Sequence, residues 1–283
     1  MRHGPAWITG AGGLIGSYLV KTAPNSYHPV ALTRESFDLA DFSRVRREFQ
    51  SAQPGLLIHC AALSRSPACQ ADPARARKQN VEVTAHLAEL ASDIPFVFFS
   101  SDLVFDGRAG NYDELSAVNP LSVYAETKVQ AERIVLANPR HMVVRTSLNC
   151  GISPTADRGF DEQLKCAWQR GQVLRLFQDE FRCPISAEAT SRAVWELVSQ
   201  SATGLFHVAG AERLSRWEIG QLVAAGCPEL DCRMEPALLK EYQGAPRAPD
   251  TSLNCAKAQA KLSFPLPRLS EWLKSERSGV ISR

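Results

Sequence analysis

"AWITGAGGLIGSYLVKTA", residues 6–23, opens with a short apolar run, turns on glycines, and continues as a helix-like segment. Gly10, Gly13 and Gly16 stand in a G-x-x-G-x-x-G arrangement, with Leu14 and Ile15 opening the helix between the last two. Glycines let a chain turn sharply, approach a pyrophosphate closely, and pack a helix tightly on a strand. The helix start then offers unpaired N–H groups and the positive end of its dipole to phosphate oxygens. Alone, three glycines describe only a Gly-rich turn. Between the first strand and first helix of a repeating strand–helix pattern, they describe a dinucleotide cradle.

That pattern continues outward. "HPVALTR" (28–34) is a second strand, "DFSRVRREFQSA" (41–52) a helix, and "GLLIHCAA" (55–62) a third strand ending in small residues. A helix over 76–92, a nearly all-apolar strand "PFVFFSS" (95–101), a helix from Pro120 onward and a strand "HMVVRTS" (141–147) follow. Strands that are apolar throughout and alternate with helices predict an α/β fold, a doubly wound parallel sheet covered on both faces. Past Ser147 the pattern loosens: residues 149–160 read as loop, and "DEQLKCAWQRGQ" as helix. Residues 187–200 and 204–210 read as one more helix and strand of the main sheet, with further helices over 215–226 and 269–276. The expected division is a dinucleotide-binding domain of residues 1–150 and 184–210, interleaved with a smaller substrate domain of 151–183 and 211–283.

Composition narrows the function classes. The 283 residues suffice for a large core, and 45% hydrophobic with 22% charged residues is ordinary for a globular protein. A formal net charge of +2, from 32 basic and 30 acidic residues that are interspersed, gives no electrostatic case for nucleic acid or an anionic membrane. No apolar leader or span-length stretch is present, so a cytoplasmic location is expected. The eight cysteines have neither C-x-x-C spacing nor paired histidines, and read as reduced thiols with no metal.

The end of the second strand bears on cofactor choice. An acid about 20 residues past the glycines would bind the ribose 2′-OH of NAD. Here Thr33-Arg34 stands there, and a guanidinium suits a 2′-phosphate, which favours NADP(H) over NAD(H). Glu35 follows directly, and the alternative is a solvated Arg34.

Of the 5 tyrosines only Tyr124 has a lysine four places on, Lys128, in "NPLSVYAETKVQAERIV" (119–135). Positions i and i+4 share a helix face. "FFSSDLVFDG" (98–107) brings Ser100, Ser101 and Asp102 to a strand's C-terminal end, the rim where open α/β sheets bind ligands. Ketone reduction needs a proton on oxygen, and a free phenol has a pKa near 10. An ammonium about 4 Å away, at an effective dielectric of about 20, favours phenolate by about 4 kcal/mol. Tyr124 then reads as general acid, Lys128 as its tuner and ribose holder, and Ser101 as hydroxyl donor to the developing alkoxide. The plain alternative is a half-exposed tyrosine beside a solvated lysine.

"TGAGGLIG", "FFSSDLVFDG", "NPLSVYAETK", "VVRTSLNCG" and the late "RAPDTSLN" together resemble the extended short-chain dehydrogenase/reductases, and within them the dTDP-4-dehydrorhamnose reductases and related sugar-nucleotide reductases. The resemblance runs from residue 6 to about 265. It implies NAD(P)H-dependent reduction of the 4-keto group of a nucleotide-linked deoxy sugar, with Ser101, Tyr124 and Lys128 as the reacting trio. It also implies Asp38 and Leu39 by the adenine, Ala61 and Ala62 along the cofactor, and Asn80 as support. A homodimer is compatible with it. Leu103 and Leu148 replace aromatics common in relatives, near the expected sugar or base. Arg182 and Arg247 are candidates either for gripping a diphosphate or for structural ion pairs. Asp102 reads as a cap on a nearby backbone N–H, His59 and His207 as packed, and Trp168, Trp195 and Trp217 as core or subunit contacts. The same fold and trio serve epimerases and dehydratases, and a cofactor-binding regulatory subunit, related to that of methionine adenosyltransferase, is the alternative from another class.

Overall fold

The computed structural model describes residues 4–277; the expected domain ends at 1–3 and 278–283 lie outside the described residues. Its first half runs β1 (Ala6–Thr9), α1 (Leu14–Lys21), β2 (Pro29–Leu32), α2 (Phe42–Ala52), β3 (Leu56–His59), α3 (Ser66–Ala71), α4 (Pro73–Arg77), α5 (Val83–Leu90), β4 (Phe96–Ser101), α6 (Val123–Leu136) and β5 (Met142–Thr146). The second half runs β6 (Asn149–Cys150), α7 (Phe160–Gln169), β7 (Leu174–Phe177), β8 (Phe181–Arg182), β9 (Ile185–Ser186), α8 (Ala187–Ser199), β10 (Gly204–Val208), β11 (Leu214–Ser215), α9 (Arg216–Ala224), β12 (Met234–Ala237), α10 (Ala256–Gln259) and α11 (Leu269–Arg277).

Six strands form one parallel sheet in the order β10-β5-β4-β3-β1-β2. The chain steps from β1 to β2 on one side and returns to place β3 on the other, so strand order reverses between β1 and β3. Ligands of open α/β sheets settle beyond the C-terminal ends of the strands at such a reversal. β1, β3, β4 and β5 are buried along their whole length, because helices cover both faces. Ile8, Ile58, Val97, Phe99 and Val144 pack with α1 and α8 on one side. Trp7, Leu57, Phe96, Phe98 and Val143 pack with α2, α5 and α6 on the other. β2 is the edge strand, with Val30 and Ala31 exposed.

Several boundaries differ from the sequence reading. β2 ends at Leu32, so Thr33 and Arg34 lie in the following turn, where the Thr33 hydroxyl and Ser36 hydroxyl bond and the Phe37 N–H donates to the Thr33 carbonyl. The helix expected over 76–92 starts earlier, on Pro73 with Asp72 capping Arg75 N, and passes through a π-helical turn, Lys78–Glu82, before α5. Asn80 lies in that turn, a device often found where a helix must aim one side chain. The loop expected over 149–160 contains β6, which pairs with β9. The rest of that loop is held by two buried carboxylates: Asp161 accepts from Gly151 N, and Glu162 accepts from Ser153 N, Ser153 Oγ, Arg158 N and Gly159 N.

Two small two-stranded sheets, β11-β8 and β12-β7, belong to the chain after β6. Leu164, Trp168, Leu176, Ile219, Val223 and Leu269 form their separate apolar cluster. The segment after β12 returns to the main body: Ser252 and Asn254 bond to Tyr112 and Asp250 N to the Gly107 carbonyl. His59 and His207 are fully buried, His59 between the Thr9 and Thr84 hydroxyls. Trp168 and Trp195 are buried as well, and Trp217 packs partly buried against the small cluster. No disulfide joins the eight cysteines, and among the described residues no helix is long and apolar enough to cross a membrane.

The most demanding packing lies behind β5. Arg145 and Glu132 meet in a two-point ion pair, at 2.9 and 2.7 Å, with both side chains buried. The third Arg145 nitrogen faces His207 Nε2 at 3.3 Å, whose Nδ1 faces the Tyr112 carbonyl. Removing one partner of such a pair leaves a buried charge without compensation, so Glu132→Ala should destabilise the fold by about 3–5 kcal/mol in urea unfolding. A change below about 1 kcal/mol would mean the pair is well solvated.

Candidate active site

The turn after β1 holds its glycines for steric reasons. Gly10 has φ +68°, and a Cβ there would sit 2.7 Å from Ala61 N. A Cβ on Gly16 would run into the Gly10 carbonyl. Gly13 caps α1 with no side chain to satisfy the first-turn N–H groups, while a Cβ on Gly12 would meet only the Thr33 side chain, at 3.8 Å. The turn is closed against the protein and open outward, which fits a pyrophosphate.

A cleft of about 1550 Å³ opens there. Ligand sites for one drug-sized molecule run to about 1,000 Å³, so this one has room for two ligands. Gly10, Gly13, Leu14, Ile15, Gly16, Ala61 and Ala62 line it, and so do Arg34, Asp38 and Leu39 at its outer end. A side chamber of about 250 Å³ beside them is lined by Arg34, Asp38, Arg75 and Gln79. Asn80 stands behind the wall. Its amide bonds Leu63 N, the Leu63 carbonyl and the Thr127 hydroxyl, fixing the β3 exit loop to α6.

Helix α6 starts on Ser122, whose hydroxyl accepts from Ala125 N. That cap puts Tyr124 in the first turn and Lys128 one turn later, both lining the cleft and both buried. Ser101 ends β4 on the same wall. The trio is brought together, but not in the electrostatic relation expected. Lys128 Nζ donates to the Phe99 carbonyl at 2.8 Å and lies 4.5 Å from the Phe98 ring centre, against 6.0 Å from that of Tyr124. Burial raises the Tyr124 phenol above its ordinary value, Asp102 adds to this, and a hydrogen bond with Ser101 opposes it. The expected lowering of Tyr124 by Lys128 is therefore corrected: the ammonium is turned to the strand, and burial brings its own pKa down to about 8.

Asp102 also differs from expectation. Among the described residues it caps no backbone N–H. Its Oδ1 accepts from Ser101 Oγ at 3.1 Å, and its Oδ2 from Ser147 Oγ at 2.6 Å and Thr251 Oγ1 at 3.1 Å. The nearby Leu103 N–H donates to Ser101 Oγ. Through Thr251 the network reaches Arg182, whose Nη1 donates to Thr251 Oγ1 at 2.6 Å. Arg182, Arg216 and Arg247 all pair with the fully buried Glu180, at 2.9, 2.9 and 2.6 Å. Burial alone would raise the Glu180 carboxyl, but Arg216, Arg182 and Arg247 together hold it at about 2.

Arg182, only 2% exposed, takes the ion-pair alternative rather than the diphosphate one. Arg247 pairs with Glu180 too, yet its side chain stays 32% exposed beside Phe177 and Tyr242 at the cleft. Arg216 was absent from the sequence reading. Its local signal is the S-x-x-E capping box of Ser215 and Glu218 that starts α9, which places a first-turn side chain but names no partner. Three guanidinium groups against the carboxylates of Glu180 and Asp102 leave one positive charge in surplus on the cleft wall. Leu103 and Leu148 line the same cleft.

Residues 6–276 match the family model described as the RmlD substrate binding domain. The chain is 28% identical over 279 residues to the dTDP-4-dehydrorhamnose reductase of Sinorhizobium fredii, covering 93% of each. It is 28% identical over 274 residues to methionine adenosyltransferase 2 subunit beta of Xenopus laevis, covering 90% of this chain and 81% of that one. Its fold is that of the dTDP-4-dehydrorhamnose reductase from Bacillus anthracis solved in complex with NADP, with TM-score 0.89, 20% identity, and 99% and 100% of the two chains covered.

The buried ammonium of Lys128 has a stability consequence. Its folded pKa, about 8, lies below the ordinary 10.5, so between those values the unfolded chain binds more protons and stability rises with pH. Lys128→Met should stabilise the protein at pH 7 by on the order of 2 kcal/mol, about 3 from relieving the charge less about 1 for the bond to Phe99. The gap to the parent should narrow as pH rises from 8 toward 10.5. Urea unfolding of both proteins at pH 7 and pH 10 tests this, and a destabilised Lys128→Met at pH 7 would contradict it.

Proposed function

We propose the following activity for a chain that belongs to the RmlD substrate binding domain family: it is an NADP-dependent oxidoreductase that reduces the 4-keto group of a nucleotide-linked deoxy sugar. One observation carries the reading. Tyr124, Ser101 and Lys128 line a single cleft between an open glycine turn and a surplus of guanidinium charge. Its relatives and structural neighbours include dTDP-4-dehydrorhamnose reductases, one of them with NADP bound.

A bound reduced nicotinamide would supply the hydride. The protein's part is to place, polarise and protonate the ketone. Burial keeps Tyr124 protonated at neutral pH, and a phenol, even a raised one, remains a stronger acid than water, whose pKa is about 15.7. It therefore gives its proton readily to an alkoxide forming next to it. Ser101 lies in hydrogen-bonding reach of both Asp102 and the phenol, and its one proton turns from the Asp102 carboxylate to the alkoxide as charge develops there. Lys128 anchors the cofactor ribose.

Outward from the reacting centre, Arg247 and Arg216 bind the diphosphate of the sugar nucleotide, with bidentate geometry suited to it. At the outer end of the cleft Arg34 would hold a 2′-phosphate, which would select NADP(H) over NAD(H). The six-stranded sheet and its helices bind the cofactor, and β7, β8, β11, β12, α7 and α9 form the substrate-binding part. The reaction takes place in the cytoplasm.

A second reading follows from the likeness to the methionine adenosyltransferase subunit: a regulatory subunit that binds NADPH and does not turn over. Oxidation of NADPH in the presence of dTDP-4-keto-6-deoxyhexulose separates the two. The reductase consumes NADPH, and Tyr124→Phe lowers kcat by about 10²–10⁴ while NADPH binding is kept. Binding of NADPH without consumption, or an undiminished rate in Tyr124→Phe, overturns the reductase.

A further inference from the structure

Three buried polar side-chain atoms have no hydrogen-bond partner among the described residues: Ser100 Oγ, Ser191 Oγ and Trp272 Nε1. Of these residues only Ser100 lines the cleft. A buried hydroxyl without a partner is unfavourable, and in native proteins such a group calls for an explanation.

Strand alternation tells where Ser100 faces. In β4, Phe96, Phe98 and Ser100 share one side, the side packed by α5 and α6, while Val97, Phe99 and Ser101 share the other. Lys128 Nζ lies over the ring of Phe98, one step before Ser100 on that side. The cations around Ser100 are otherwise engaged. Its register partner Arg145 directs its guanidinium to Glu132 and His207, and Lys128 donates to the Phe99 carbonyl. Among the described residues nothing answers this hydroxyl: its oxygen is buried and unpartnered, while the residue itself is 4% exposed and lines the cleft.

We infer that Ser100 is a cofactor-binding residue, whose hydroxyl completes with Lys128 the seat for the ribosyl hydroxyls of the nicotinamide nucleotide. The inference rests on the cofactor reading above. A sugar diol carries both donors and acceptors, so it can satisfy a serine hydroxyl and a lysine ammonium at once. The serine closest to the reacting carbonyl, Ser101, is held on Asp102 and Tyr124 instead. The two adjacent serines thus divide the work, one toward cofactor and one toward substrate, as the pleat directs.

The test is binding, not turnover. NADPH affinity is measured by its fluorescence for the parent and for Ser100→Ala, with ADP, which lacks the nicotinamide ribose, measured on both by calorimetry. The expected result is NADPH binding weakened by about three- to tenfold, the worth of one hydrogen bond, with ADP affinity unchanged. The melting temperature of Ser100→Ala without ligand should equal or exceed that of the parent. Equal NADPH affinity in both proteins, or an ADP affinity that falls in step with NADPH, overturns the Ser100 assignment alone. Failure of the parent to bind NADPH or NADH overturns the cofactor reading and this inference together.

Discussion

The backbone at Gly10 passes so close to Ala61 that no side chain fits between them. This approach joins the turn after β1 to the exit of β3, the two neighbours between which strand order reverses. A side chain at Gly10 would press on the backbone of Ala61 and force the turn off the β3 exit. Gly16 enforces the approach from the other side, by letting the helix lie on the Gly10 carbonyl. A handful of hydrogen atoms in place of methyl groups therefore decides where the fold can receive a phosphate.

From that fixed point the polar groups of the cleft form one connected structure. Ser101 is tied to Asp102, Asp102 to Thr251 and Ser147, Thr251 to Arg182, and Arg182 to Glu180 with its two further guanidinium partners. Buried ion pairs of this kind are poor sources of stability, because desolvation takes back much of the attraction. Their benefit is positional. The strand end that carries Ser101 and the later chain that carries Arg182, Arg216 and Arg247 cannot shift independently while these bonds last. The distance between Ser101 and the guanidinium surplus is thereby fixed before any ligand arrives, the kind of preorganisation an active site requires.

The sequence disclosed whatever local periodicity encodes. The six parallel strands, the capped α6 and the glycine turn all announce themselves within windows of four to fifteen residues, and each stands close to where the pattern put it. The small sheets β11-β8, β12-β7 and β6-β9 were not legible, since strands of two to four residues are too short to show a period. The helix expected over 76–92 is present but begins at Pro73 and carries a π turn, which apolar spacing did not reveal. In the cleft, residue types at a strand end and a helix start pointed to the trio and the glycine wall. What they could not supply was partners. Arg216 and Glu180 stand 36 residues apart, and Asp102 meets Thr251 across 149, so neither relation leaves a trace in local sequence.

The direction of Lys128 matters most in this respect. Spacing alone set phenol and ammonium on one helix face, and Coulomb's law at about 4 Å then made the lysine a strong tuner. Spacing does not fix χ angles, and the side chain is long enough to choose the Phe99 carbonyl and the Phe98 ring instead. The result is a phenol raised by burial and an ammonium brought down to about 8, opposite in sense but the same in cause. Desolvation favours the neutral form of both, so at neutral pH the phenol rests protonated while the lysine carries its charge against the penalty of burial. An anionic or hydroxyl-rich ligand entering the cleft would relieve the lysine and leave the phenol an acid. The cleft thus keeps its instability in groups that a polyhydroxylated, phosphorylated ligand is chemically able to satisfy, and that is the strongest physical reason to read these residues as a site rather than as packing.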